Sequence, residues 1–313
     1  MDPFRLNFPI EKASFSIEHG QPILLIGSCF SDEIALKFQQ SGHSVAANPF
    51  GTIFHPIVIA QFITDLFNDS QTLVTSIQRE DVFLAWEANS SFHAYSEKDL
   101  LEKANAIKLE WKKAIQQAHV LYITLGTAFG YELDNGSLVA NCHKFPAKLF
   151  KKKLATTEEI SAAFTSMLNI LKKVNPNLNV VFTVSPVRHV KDGLIENNRS
   201  KARLLEAVHT LTHQDNVTYF PSYEIVIDEL RDYRFFKKDY VHPSAEAIDY
   251  VWERFSDTYF TEKTKAFNKE VASFMAMKHH KILFRESQAT RKFLNSLQEQ
   301  EQKLIAKGAK IRD

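Results

Sequence analysis

Ser28, Asp239 and His242 are the residues of this chain whose types and order best fit a reaction. Ser28 stands directly after the apolar run Ile23-Leu24-Leu25-Ile26 and Gly27, where a buried strand would turn sharply into a helix. Such a turn presents a hydroxyl at a helix mouth, where unpaired N–H groups and the positive end of the helix dipole favour a developing oxyanion. A serine hydroxyl becomes a nucleophile when a base removes its proton. His242 can be that base, and Asp239, three residues earlier on the same loop, can orient the imidazole and stabilise its charged form. Each part also has a plain structural reading: Gly-Ser after a strand commonly caps a helix, and Asp-x-x-His arises often by chance. The combination of an early serine with a late Asp–His pair, just before the last core helix, is more specific than either. Cys29 is the rival nucleophile. Adjacent side chains at such a turn point in different directions, so Ser28 and Cys29 cannot both face one base, and Cys29 reads as a small apolar residue packed inward.

The hydrophobic pattern supplies the elements that must position these residues. After the strand at 23–26, a helix start is read at Ser31-Asp32-Glu33, with Ile34 and Phe38 on one face. A short strand over Ser44 to Ala47 runs into the loop Asn48-Pro49-Phe50-Gly51, and His55-Pro56 opens a helix through Phe67. Val74 to Trp86 reads as a strand pair or an insertion. Ser96-x-x-Asp99 resembles a capping box ahead of Leu100, Ala104, Ile107, Trp111 and Ala114 at helical spacing. Val120 to Leu125 is a buried strand ending at Gly126-Thr127. Thr156-x-x-Glu159 caps a helix carrying Ile160, Phe164, Met167, Leu168 and Leu171, which Asn175-Pro176 stops. Val180 to Val184 is the next strand, ending at Ser185-Pro186. A helix from about Asn198 to Leu211, a short strand at Val217 to Phe220, and a helix capped by Ser244 with Ile248, Val251, Phe255 and Tyr259 complete the core. Strands alternating with helices of this length predict an α/β fold with a mostly parallel sheet. Its ligands would bind beyond the carboxyl ends of the strands, where the pattern gathers Ser28, the 48–51 loop, Gly126-Thr127 and Ser185.

Composition removes several classes. With 44% hydrophobic and 24% charged residues, the 313-residue chain is neither disordered nor, lacking any long uninterrupted apolar stretch, membrane-spanning. The formal charge of +1 offers no basic surplus for a nucleic acid. Two cysteines, Cys29 and Cys142, do not make a disulfide scaffold. Asp2, Arg5, Glu11 and Lys12 interrupt the N-terminus, so no signal peptide is read and the expected compartment is the cytoplasm. The expected division is a core domain over 1–260 and a helical extension over 261–313. The extension is basic, with 12 Lys+Arg against 6 Asp+Glu, and amphipathic through Phe267, Val271, Phe274, Phe293, Leu297 and Leu304. It reads first as a hairpin packed on the domain and next as a contact for a partner or for a second copy of the chain; contact with a nucleic acid or an anionic membrane is the remotest of the three readings.

Other polar residues have weaker cases. His55, His93, His143 and His189 lack the spacing of a metal site, so neither metal nor cofactor is expected. His55 and His143 adjoin the strand-end loops and are candidates to line a pocket. Arg188 and Arg199 follow the strand ending at Ser185 and are read as solvated, or else as partners for an anionic substrate group. Trp86 is read as core rather than as a stacking platform for a sugar.

The segment Gly27-Ser28-Cys29-Phe30-Ser31 resembles the motif that names the GSCFA family, with Ser31 where the name has Ala. The resemblance extends to the segments Asn48 to Pro56, Leu125 to Ala128, Thr183 to Val187, and Asp239 to Pro243, and so covers about Ile23 to Phe260. That family is similar to a branch of the SGNH (GDSL-like) hydrolases. The resemblance implies a three-layer α/β/α fold of flavodoxin-like order and ester hydrolysis through an acyl-serine intermediate. It implies Ser28 as nucleophile and Asp239 and His242 as its partners. The implied oxyanion donors are the Ser28 N–H, a glycine N–H for which Gly51 is the candidate, and an asparagine amide. Gly51 also reads as a turn residue that needs positive φ. The usual Gly-x-Asn-Asp motif is replaced by Gly126-Thr127-Ala128-Phe129, so Thr127 or Asn48 is the candidate third donor. The nucleophile turn also lacks the Asp that usually precedes the serine. The expected function is thus a serine esterase acting on a small O-acyl group, acetyl foremost, carried by a carbohydrate or similar polar molecule. The alternatives are an O-acyltransferase using the same serine and a non-catalytic binding or regulatory module on a hydrolase fold.

Overall fold

The computed structural model describes residues 6–70, 72–278 and 287–311. In it, β1 (Ile23–Gly27), β2 (Val45–Ala47), β5 (Val120–Leu125), β9 (Asn179–Val184) and β10 (Val217–Tyr219) form one parallel sheet in the order β10-β9-β5-β1-β2. Helices α1 (Cys29–Gln40), α2 (Pro56–Leu66), α3 (Glu97–Gln117), α4 (Thr157–Val174) and α5 (Leu194–Leu211) lie between these strands in sequence. A short α6 (Ser222–Glu224) runs into a π-helical turn at Ile225–Glu229, and α7 (Ala245–Tyr259) follows. The strands are predominantly apolar because both faces are covered. Leu24, Ile26, Leu121, Ile123, Val180 and Phe182 pack into one buried layer with residues of α2 to α5. Their alternates Ile23, Leu25, Val120, Tyr122 and Val181 pack into the other with residues of α1 and α7. The fold is therefore α/β with three layers, as expected, and the strand order reverses direction between β1 and β5, immediately beside Ser28.

Three local expectations are corrected. The first helix begins at Cys29, not near Ser31, because Ser28 itself takes the extended N-cap conformation. The fifth helix begins at Leu194, four residues before Asn198, with Gly193 at φ +88° as its cap. The segment between β5 and α4 holds an unforeseen antiparallel sheet, order β7-β6-β8, of β6 (Phe129–Glu132), β7 (Leu138–Val139) and β8 (Lys151–Leu154). Val74 to Trp86 is indeed a strand pair, β3 (Ser76–Arg79) with β4 (Val82–Ala85). Among the described residues no helix is long and apolar enough to cross a membrane.

Helices α8 (Glu262–Lys278) and α9 (Gln288–Ala306) bury Val271, Phe274, Leu297 and Leu304 against one another. They meet the α/β core at the end of α1 remote from Ser28. There Lys310 N–H donates to Gly42 O at 2.7 Å, and a Cβ on Gly42 would lie 2.9 Å from Val271. In the same place Asn268 Oδ1 meets His19 Nε2 at 2.7 Å and His43 Nε2 at 2.9 Å, and the two imidazoles stack at 4.1 Å. Burial, and secondarily the neighbouring His19, push the His43 pKa down to about 3. His43 is therefore held neutral. A depressed pKa contributes stability that is present above the ordinary histidine value and is lost as pH falls from about 6.5 towards 3. The melting temperature is expected to drop by about 5 °C between pH 7 and pH 5. His43→Gln, which can still donate to Asn268 but does not titrate, should reduce that drop; calorimetric scans with equal slopes for both proteins would contradict it.

Candidate active site

Gly27 is the pivot of the turn that presents Ser28. Its φ is +140°, and a Cβ placed there would lie 2.1 Å from the Thr124 carbonyl oxygen. Only a residue without a side chain lets β1 end so close to β5. Ser28 N–H then donates to that same Thr124 carbonyl at 3.1 Å. The Ser28 side chain is buried, and its Oγ accepts from Phe30 N–H at 3.3 Å as the N-cap of α1. Cys29, in the first turn, is half-buried, and burial pushes its thiol pKa up, with the nearby Asp32 carboxylate adding to the effect. That environment disfavours a thiolate, the reactive form.

Asp239 and His242 form a tight pair on the loop before α7. His242 Nδ1 lies 2.7 Å from Asp239 Oδ2, while Asp239 Oδ1 accepts from the N–H groups of Val241 at 2.9 Å and His242 at 3.0 Å. The two backbone bonds, with the imidazole bond third, hold the Asp239 carboxyl well below the usual carboxylate range. The carboxylate therefore fixes the ring and its tautomer, with Nδ1 carrying the proton and Nε2 left to accept one. Both side chains are partly exposed. Tyr240, between them in sequence, takes φ +58°, a left-handed conformation rare for a bulky residue. Arg188 braces this loop. Its Nη1 donates to Tyr240 O at 3.1 Å, and its guanidinium lies 4.2 Å from the Phe236 ring centre. Among the described residues no hydrogen bond joins Ser28 Oγ to His242.

The expected oxyanion donors are occupied in other bonds. Gly51 N–H donates to Asn48 O at 2.9 Å, closing a turn in which Gly51 has φ +72°, and a Cβ there would meet Ser91 and Asn89 at under 3 Å. Gly51 is thus the turn residue, not a free donor. Asn48 takes φ +42°; its Oδ1 accepts from Gly27 N–H at 2.8 Å, and its Nδ2 donates to Asp32 Oδ1 at 2.7 Å. It ties the β2 loop to the nucleophile turn. Thr127 Oγ1 shares a 3.0 Å hydrogen bond with Ser200 Oγ and accepts from Phe129 N–H, while the N–H groups of Gly126 and Thr127 both donate to Phe54 O. His55 is buried against Gly130 in the accessory sheet, where burial lowers its pKa to about 4. Ser185 is buried at the end of β9, and its Oγ accepts from Val187 N–H. The donor that remains is Cys29 N–H, the first amide of α1, whose one partner among the described residues is its own thiol, a weak acceptor.

The remaining candidates fall away from Ser28. His143 bonds to Ala85 O at 2.7 Å and to Ser90 Oγ at 2.9 Å, anchoring the β3–β4 hairpin. Trp86 packs between Phe145 and Phe150. Arg199 is paired with Glu196 on the surface. One residue was not foreseen. Lys201 on α5 is fully buried, and its Nζ donates to Gly126 O at 2.7 Å and Ser185 O at 2.6 Å.

The sequence model of the GSCFA family matches residues 22–255. No curated protein matches the chain by sequence. Among solved structures, the chain is similar to a carbohydrate esterase family 3 protein from Talaromyces cellulolyticus, at 11% identity and TM-score 0.38, over 80% of this chain and 99% of that one. It is also similar to the acetyl xylan esterase Est2A from Butyrivibrio proteoclasticus, at 10% identity and TM-score 0.38, over 80% of this chain and 64% of that one. A family two carbohydrate esterase from Clostridium thermocellum, solved with cellohexaose, gives 10% identity and TM-score 0.38 over 77% of this chain and 64% of that one.

Proposed function

The chain belongs to the GSCFA family, and from that premise we propose that it is a serine esterase of SGNH type, with Ser28 as nucleophile, His242 as base and Asp239 as the residue that holds the base. The observation that carries this reading is the Asp239–His242 pair, whose carboxylate fixes one ring nitrogen and leaves the other to take a proton beside the strand-end loops. In the proposed reaction Ser28 Oγ attacks the acyl carbonyl carbon as its proton passes to His242 Nε2. The tetrahedral intermediate collapses as His242 returns that proton to the departing alcohol. Water then repeats the sequence on the acyl-serine and frees the acid. Cys29 N–H and the positive end of the twelve-residue α1 would face the oxyanion. The resemblance to SGNH hydrolases supports a small O-acyl substrate, acetyl foremost, on a carbohydrate or similar polar carrier. An O-acyltransferase would use the same intermediate with a second alcohol in place of water.

The bond from Phe30 N–H to Ser28 Oγ favours a second reading, a binding module in which the serine is only a helix cap. A fluorophosphonate probe separates the two. Wild-type protein is expected to gain one adduct by intact mass, and Ser28→Ala and His242→Ala none. Folded wild-type protein that stays unlabelled would favour the binding module, and label surviving in Ser28→Ala would point to Cys29.

A further inference from the structure

The oxyanion side of this site has too few free donors, and a charge lies unused beneath it. Lys201 is 1% exposed, and two of its three Nζ protons go to the carbonyls of Gly126 and Ser185, which end β5 and β9. No acceptor for the third proton is found among the described residues. The ionisable or aromatic groups facing it are Cys29 from α1, His189 from the loop before α5, and the Tyr223 ring, 6.0 Å away on α6. None is a carboxylate. A buried ammonium without a counter-ion is costly, and a well-packed apolar side chain of the same volume is often the more stable choice. Burial alone drags its pKa down to about 7. Its charge is nonetheless felt, weakly, at the thiol of Cys29, the residue next to Ser28.

We propose that Lys201 is the electrostatic half of the oxyanion site, a buried ammonium gripped by the Gly126 and Ser185 carbonyls whose missing counter-ion is the oxyanion that forms beside Ser28. The inference rests on the esterase reading above. Lys201 does not reach the substrate, so it is a positioning residue that acts in two ways. Its grip on Gly126 fixes the peptide whose Thr127 N–H holds Phe54 O, in the segment where Ile53 N–H also binds Gly27 O. Three strand-end loops are thereby fixed around the nucleophile turn. Its positive charge, beneath the buried Ser28, supplies what the absent asparagine amide would otherwise provide.

The test compares wild type, Lys201→Met and Lys201→Arg for the rate of Ser28 phosphonylation between pH 5.5 and 9.5, with melting temperatures measured alongside. Lys201→Met is expected to keep its fold and to react about 100-fold more slowly at pH 6.5, the scale of losing an oxyanion contact. Lys201→Arg should recover part of that loss. Wild type should lose rate as Lys201 deprotonates above about pH 7, and Lys201→Met should lack that falling limb, which a purely structural clamp would not produce. Should Lys201→Met fail to fold, the wild-type protein still decides. With lysine labelled with ¹³C at Cε, the Lys201 titration midpoint should rise by at least about one unit when the phosphonate adduct on Ser28 has lost its alkyl group and bears one negative charge, since a nearby anion favours the ammonium. An unchanged midpoint, or equal phosphonylation rates in wild type and Lys201→Met, overturns the inference while leaving the esterase reading intact. Wild-type protein that does not phosphonylate at all overturns both, and does so before any lysine variant is made.

Discussion

His242→Ala is expected to lower kcat/KM for an activated acetyl ester by about 10⁴-fold or more, with the melting temperature nearly unchanged. The side chain is partly exposed, so little stability goes with it. Asp239→Asn is the more informative partner. The amide oxygen can still accept from the N–H groups of Val241 and His242 and keep the loop in place. Its NH₂ would then face His242 Nδ1, forcing the ring to accept there and to carry its proton on Nε2. That is the wrong tautomer for a base, and a drop in kcat of about 10³–10⁴ follows. Removing both groups should cost about as much as removing His242 alone, because they act as a unit. Steady-state kinetics on the two single variants and the double variant checks this. Additive losses, or an Asp239→Asn variant within tenfold of wild type, would count against the assigned roles.

Gly27→Ala is the substitution expected to damage the fold most. The new Cβ would lie 2.1 Å from a backbone oxygen in the middle of the sheet, at a φ of +140° that an L-residue resists. Nothing there is a flexible side-chain end that could swing away. A loss above about 4 kcal/mol, or failure to fold, is expected. Gly136→Ala is the control: φ is +83°, but nothing lies within 4 Å of the added carbon, so only backbone strain of about 1–2 kcal/mol remains. Urea unfolding of the two variants should separate them widely, and equal midpoints would show that the approach of β1 to β5 is less confining than the geometry says.

The sheet was readable because its strands are covered on both faces, so Ile23 to Ile26, Val120 to Leu125 and Val180 to Val184 stand out as apolar runs interrupted by nothing more polar than Thr124 and Thr183. Thr156 and Ser244 marked helix starts through their own side-chain bonds. The accessory sheet was not legible. Lys151-Lys152-Lys153 in β8 is an exposed edge held by pairing with β6, and no alternation of apolar residues announces it. Within the site, Asp239 and His242 could be paired from sequence because their bond is local, three residues apart. The fate of Gly51, Asn48 and Thr127 could not, since each is settled by partners brought in by the fold. Lys201 was invisible for a related reason. A lysine on a helix reads as solvated, and only the meeting of two strand ends above it shows that this one is enclosed.

The bond between Phe30 N–H and Ser28 Oγ has a kinetic meaning. On the proposed chemistry the hydroxyl does not wait in the attacking position. It is parked, and must rotate about one side-chain torsion to turn towards His242. A serine cap is worth about 1 kcal/mol, so the resting population is weighted about fivefold towards the parked rotamer. That is a toll small enough for substrate contacts to cover and large enough to keep the nucleophile idle in their absence. Donors at the α1 mouth that attract the acyl carbonyl would draw the rotamer over as the ester settles. Reactivity would then be gated by occupancy rather than standing ready, and a probe too bulky to settle at the α1 mouth would label Ser28 slowly.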